Sequence, residues 1–203
     1  MGIARARADA GFRPFAISLS SAFAIMGFAL LTAVAAQVRV ATPWTPVPAT
    51  LQLLAVVLAG LTLSPRASVA AMGLYLACGA AGLPVFSPQS TGLLGTTGGY
   101  LFGFIAAAWL VAVLRGPSNA SVLRQLAAAV CGTIVLFSFG AAGLYVWARA
   151  SGLEPLAMVS GGTFPFVPKA AVEIGLAVST VAAARGLKAR WVTRSKRSAG
   201  HSL

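Results

Sequence analysis

Lys169 and Glu173 are the residues of this chain most able to do chemistry. They stand four apart in an otherwise apolar stretch. On a helix that spacing puts both on one face, where they can pair. A charge in the middle of a membrane span costs about 2.5–3.5 kcal/mol on insertion scales, so the two are retained for a reason. They either form a self-compensating ion pair turned into a bundle, or one or both touch a polar substrate. The second candidate is Gly95–Phe104, GTTGGYLFGF, with four glycines, two threonines and no charge. It reads as a loop turning into a helix. Glycine lets backbone come close to a ligand, and the first amides of a helix favour a carboxylate or another polar group. Gly98-Gly99 could equally be a tight helix entry packed against a neighbouring helix.

Other chemistries find no residues. The acids are Asp9, Glu154 and Glu173, too few for a carboxylate pair on facing helices, and the single histidine, His201, lies in the C-terminal tail. An enzyme is therefore not expected, nor a bound metal or cofactor. No G-x-x-x-x-G-K-[ST] run occurs, so ATP is not bound through a P-loop. Cys78 and Cys131 lie inside apolar segments without metal-ligand spacing and read as small apolar residues.

The elements that must position these residues are membrane helices. Of 203 residues, 58% are hydrophobic and 9% charged, against about 25% charged in a soluble domain. The net charge of +12 does not point to nucleic acid, because the basic residues cluster at the ends of apolar segments and in the tail. An all-α bundle of six spans is expected: Phe15–Val38, Ala49–Leu63, Ala67–Gly82, Gly98–Leu114, Gln125–Trp147 and Phe164–Ala184. Residues 1–14 form a cytoplasmic N-terminal segment, residues 15–186 the bundle, and residues 187–203 a basic cytoplasmic tail without regular structure. The competing reading of the first span is a signal peptide cleaved after Ala35. Its apolar stretch is longer than the usual signal core.

Between the spans, Val40–Gln52 is a stiff, extended loop with Pro43, Pro46 and Pro48. It places Trp44 near an interface, where it could also be an ordinary belt residue. Arg149–Thr163 reads as a loop. With the N-terminus inside, the inner segments hold Arg5, Arg7, Arg13, Arg66, Arg115, Arg124, Arg185, Lys188, Arg190, Arg194, Lys196 and Arg197. The outer loops hold Arg39 and Arg149, with Lys169 just inside the sixth span. That asymmetry predicts both ends in the cytoplasm. It gathers the proline loop, the glycine loop and the start of the sixth span at the outer face. On the first span, Ala29 and Ala33 are small residues four apart. They would admit another helix, from this chain or from a partner.

Three stretches in order, Gln37–Gly60 (QVRVATPWTPVPATLQLLAVVLAG), Tyr75–Phe86 (YLACGAAGLPVF) and GTTGGYLFGF, resemble the BioY family of biotin-specific substrate-binding (S) components of energy-coupling-factor transporters. The resemblance runs from the first span through the fourth. It implies a six-helix bundle of the cytoplasmic membrane that takes biotin near the outer face. It also implies partners, one transmembrane coupling subunit and two ATPase subunits, with Ala29 and Ala33 on the docking surface. The binding residues it suggests are Trp44, Thr50, Gln52, Phe86, Thr97, Gly98, Gly99, Tyr100, Lys169 and Glu173. Lys169 and the glycine-loop amides would take the carboxylate, Glu173, Gln52 and Thr50 the ureido ring, and Trp44, Phe86 and Tyr100 the apolar walls. Two features depart from the family. Thr96 replaces the proline of its usual G-P-T-G-G-Y. The acid and base of the sixth span stand in reversed order, so that either they exchange places around one ligand or the ligand differs. A carrier for another small metabolite and a ligand-free scaffold are the alternative functions.

Overall fold

A computed structural model describes residues 18–40, 45, 47–117 and 120–199. Trp44, expected in the binding site, lies outside them, as do the N-terminal segment, Pro43, Pro46 and the last four residues. The elements are α1 (Leu19–Gln37), β1 (Arg39–Val40), β2 (Ala49–Thr50), α2 (Gln52–Thr62), α3 (Pro65–Ala80), α4 (Gly98–Leu114), α5 (Val122–Ala150), α6 (Pro155–Thr163) and α7 (Val167–Ala199). A 3-10 turn, Phe164–Phe166, joins α6 to α7 without leaving helical backbone. The described residues thus form six helical units, the last built from α6, the turn and α7.

Helix starts follow local chemistry. Ser18, Ser64 and Ser121 each sit in extended backbone and accept an amide three residues on, the arrangement that satisfies one orphan N–H of a helix start. Pro65 occupies the first turn of α3, where its missing N–H costs nothing. At the end of α5, Gly152 has φ +71°, which lets the chain reverse into α6.

Four expectations are corrected. The second span is not helical from Ala49. Ala49 and Thr50 pair antiparallel with Val40 and Arg39, and α2 has 11 residues. At 1.5 Å per residue that is about 16 Å, well short of a bilayer core of about 30 Å. The missing turns at its start leave room at that end of the bundle. The proline-rich stretch, expected to be simply extended, opens and closes with this two-residue pairing. The segment expected as a loop over Arg149–Thr163 is mostly α6, with Pro155 in its first turn. Finally, α7 runs to Ala199, through most of the stretch expected to lack structure.

Among the described residues, three units are long and apolar enough to cross a membrane: Leu19–Gln37, Val122–Ala150 and Pro155–Lys188. α4 is apolar at 17 residues. The interior is built of small residues. Ala59, Ala71, Ala108, Ala129 and Ala177 are completely buried. Gly60 lies against Val111 and the Ala108 carbonyl, and Gly132 against Val111 and Ala107. Large side chains such as Phe23, Leu30, Val146 and Leu187 point outward. In lipid, burying apolar area gives helices no drive to associate, so close backbone packing at small residues does that work. α4 packs along α5, α2 between α4 and α7, and α1 on α3 and α2.

That packing uses the expected docking face. Ala29 is buried in the core and Ala33 is half-buried against it. Thr32 and Ala36 beside them are fully buried. The outward face of α1 carries Phe23, Met26, Leu30 and Val34 instead.

Candidate functional site

One cavity lies at the end of the bundle where α2 is short. Its floor and walls come from the start of α2 (Gln52, Leu53), the first turns of α4 (Tyr100, Leu101, Phe104), the middle of α5 (Leu136, Phe137) and the start of α7 (Lys169, Ala170, Glu173), with Phe166 from the 3-10 turn. Val47 to Thr50, Ser87, Ser90 and Thr97 close it from the connecting segments.

Its polar groups come from α7, from the start of α2 and from the connecting segments. Lys169 Nζ lies 2.7 Å from Glu173 Oε2. The two are unequal: the lysine side chain keeps 30% of its exposure and the glutamate 2%. The Leu54 amide lies beside the carboxylate. The second oxygen, Oε1, is buried and has no partner in hydrogen-bonding geometry. A buried carboxylate oxygen left open is costly, and it can accept an N–H from a bound molecule. The ammonium keeps two further N–H donors for an anion.

At the start of α2, Gln52 is held at both ends. Its Oε1 accepts from Thr50 Oγ1 at 2.8 Å, and its Nε2 donates to Tyr75 Oη at 2.8 Å. Tyr75 is almost completely buried beneath the cavity, so Thr50, Gln52 and Tyr75 form a fixed relay. Thr97 Oγ1 and Ser90 Oγ are 2.5 Å apart. Ser87 Oγ is buried without a partner and lines the same cavity. Tyr100 offers its ring to the cavity while its hydroxyl donates to the Gly162 carbonyl at 2.8 Å. It thereby ties α4 to α6. Its ring meets Phe137 edge-on, with centroids 6.4 Å apart, and an aromatic wall results.

Of the candidate residues, Thr50, Gln52, Thr97, Tyr100, Lys169 and Glu173 converge on the cavity. Phe86, Gly98 and Gly99 do not line it. Phe86 packs edge-on against Tyr75, centroids 5.4 Å apart, and covers Gly79. Gly98 sits under the Leu93 carbonyl, and Gly99 meets the Phe139 carbonyl and Gly143 of α5. Gly98 and Gly99 therefore serve helix packing here, and from the glycine stretch it is Thr97, Tyr100, Leu101 and Phe104 that reach the cavity. Ser87, Ser90, Phe104, Phe137 and Phe166 line the cavity without having been singled out. For Phe166 a signal existed: Phe166, Lys169, Ala170 and Glu173 follow the i, i+3, i+4, i+7 spacing of one helix face.

A helical bundle with a cavity that is lined by aromatic rings and carries an ion pair is built to hold a small molecule with apolar and charged parts. Its fold is that of an S-component. The backbone is similar to a crystal structure of the S-component for biotin from an ECF-type ABC transporter, with a TM-score of 0.71. The match covers 82% of this chain and 91% of that one at 21% identity, a likeness of fold. Among curated proteins, the chain is 35% identical over 155 residues to the probable biotin transporter BioY of Pyrococcus horikoshii, covering 74% of this chain and 87% of that protein. It is 37% identical over 116 residues to the biotin transporter BioY of Thermotoga maritima, covering 56% and 67%. The chain belongs to the BioY family, whose model matches residues 9–190. It is a multi-pass membrane protein.

Proposed function

We propose that this chain is the biotin-binding S component of an uptake system of the cell membrane, and that the cavity between α2, α4 and α7 is its ligand site. The observation that carries this reading is the Lys169–Glu173 pair, with one open donor group and one open acceptor oxygen in a cavity whose other lining residues are uncharged and in good part aromatic. Biotin is a carboxylate at one end and a ureido ring at the other. Lys169, the more exposed of the pair, takes the carboxylate, and Glu173 Oε1 accepts a ureido N–H. The Thr50–Gln52–Tyr75 relay holds the start of α2 in shape. Tyr100, Phe104, Phe137 and Phe166 enclose the apolar body.

Residues 15–186 make up the binding unit. Both flanking segments lie in the cytoplasm, since Arg66, Arg115, Arg124, Arg185 and Lys188 gather at the end away from the cavity. Energy for release into the cell comes from a partner module with one transmembrane coupling subunit and two ATPase subunits. That module would dock on the outward face of α1, with Ala33 at its edge. Mass spectrometry of the small molecules retained by detergent-purified protein tests the ligand. Retained biotin supports the reading. Another metabolite in its place would mean that the reversed acid and base mark a changed substrate.

A further inference from the structure

At the end of the bundle opposite the cavity, three arginines gather around one connection. Arg115 follows α4 and donates from Nη2 to the Leu63 carbonyl at 3.2 Å. Arg124, in the first turn of α5, donates from Nε to the Leu114 carbonyl at 3.0 Å. Arg185, on α7, reaches from Nη1 to the Ala120 carbonyl at 3.4 Å. The same carbonyl accepts Nε2 of the wholly buried Gln125 at 3.0 Å. Each guanidinium has five N–H donors, so most of them remain to be used.

Among the described residues no acid balances this charge. Among the described residues the acids are Glu154, at the start of α6, and Glu173, in the cavity; neither belongs to this end. The Arg115 Nε is buried and unpartnered, as is Gln125 Oε1. Burial first, and the Arg185 charge second, push the Arg115 guanidinium below its ordinary pKa, although an arginine stays charged. Beside the cluster the surface is apolar and open at Val113, Leu114 and Leu123.

We propose that Arg115, Arg124 and Arg185 bind the phosphate of an anionic phospholipid, whose chains lie against Val113, Leu114 and Leu123. Guanidinium forks match phosphate oxygens in pairs, and the adjoining apolar surface selects a lipid over a free ion. The site is independent of the ligand that the cavity takes.

The test uses the purified full chain in phosphatidylcholine nanodiscs titrated with phosphatidylglycerol, read by native mass spectrometry and by melting. Wild type should hold phosphatidylglycerol in preference to phosphatidylcholine. Arg185→Gln should weaken that binding about tenfold, since a hydrogen bond to a charged group is worth about 1.5–3 kcal/mol. Arg66→Gln removes an equal charge from an exposed side chain at the same end and should leave binding unchanged. Melting in pure phosphatidylcholine identifies any variant that has lost its fold, and Arg124→Gln, at an exposed position, then takes the place of Arg185→Gln. Equal losses in Arg66→Gln and the cluster variants overturn the proposal by reducing it to overall charge. Stabilisation by inorganic phosphate alone to the level reached with phosphatidylglycerol overturns the choice of a lipid.

Discussion

The two faces of α4 do different work. One carries Tyr100, Leu101 and Phe104 into the cavity. The other carries Gly99 and Gly103 against α5, where Gly99 meets the Phe139 carbonyl and Gly143, and Gly103 meets Leu136 and Phe139. Gly99 thus meets α5 through backbone alone, whereas the neighbouring Tyr100 ring lies between the cavity and Phe137 and Gly140 of α5. Glycine's freedom to let backbone approach applies equally to a ligand and to a neighbouring helix, and composition does not separate the two. What separates them is the open polar atom: the cavity holds the unpartnered oxygens of Glu173 and Ser87, whereas Gly99 meets the backbone of α5 at the edge of an open, mostly apolar groove shared with Leu93, Phe102 and Ala142.

The comparison breaks most readily at Gly99. Gly99→Val places a branched side chain where Phe139 and Gly143 stand, so α4 and α5 must separate. Overpacking of this kind costs about 1–3 kcal/mol, and more where backbone cannot yield. Expression and melting without ligand should both fall sharply. A variant that melts normally and has lost only ligand binding would move the glycines to the site.

Tyr100→Phe sharpens the other face. It keeps the ring in the cavity and removes the hydroxyl that holds Gly162. The freed carbonyl makes the loss about 1–3 kcal/mol of stability, read as a lower melting temperature, with ligand affinity changed less than threefold. A large selective loss of affinity would mean that the hydroxyl serves the ligand directly.

Ser87→Ala should have the smallest effect on the empty protein. It removes a buried hydroxyl without a partner, so melting should hold or rise slightly. A fall in affinity of about fivefold, measured by equilibrium binding, would make Ser87 a ligand contact. No change would make it a lining residue alone.

How much was legible in the sequence differs by region for the same physical reasons. The long apolar runs of α1, α4 and α5 announce themselves, because a lipid-facing helix needs no polar side. α2 does not, because its apolar run continues backward through Ala49 and Thr50, which pair with Arg39 and Val40 instead. Glu154-Pro155 is a helix-start signal inside a stretch whose glycines and serines read as loop. In the site, Lys169 and Glu173 are visible because ionisable residues in a span are costly. Ser87 is not, because a serine in a loop is ordinary until the loop folds over a cavity. Ala29 shows the reverse: small residues four apart mark a close helix approach, but only the packing on α3 and α2 shows that the partner lies within the chain.

In the proposed site Lys169 faces the ligand's carboxylate and is more than the counterion of Glu173. Equilibrium binding of biotin and of its carboxamide to wild type, Lys169→Met and the double variant Lys169→Met, Glu173→Gln tests it most directly. The double variant removes the risk that a lone buried acid destabilises the protein. Biotin affinity should fall about ten- to a hundredfold in Lys169→Met, while the carboxamide, which lacks the charge, should bind wild type and Lys169→Met nearly alike. Undiminished binding of biotin by the double variant would contradict it, and would leave the 2.7 Å pair as a structural one.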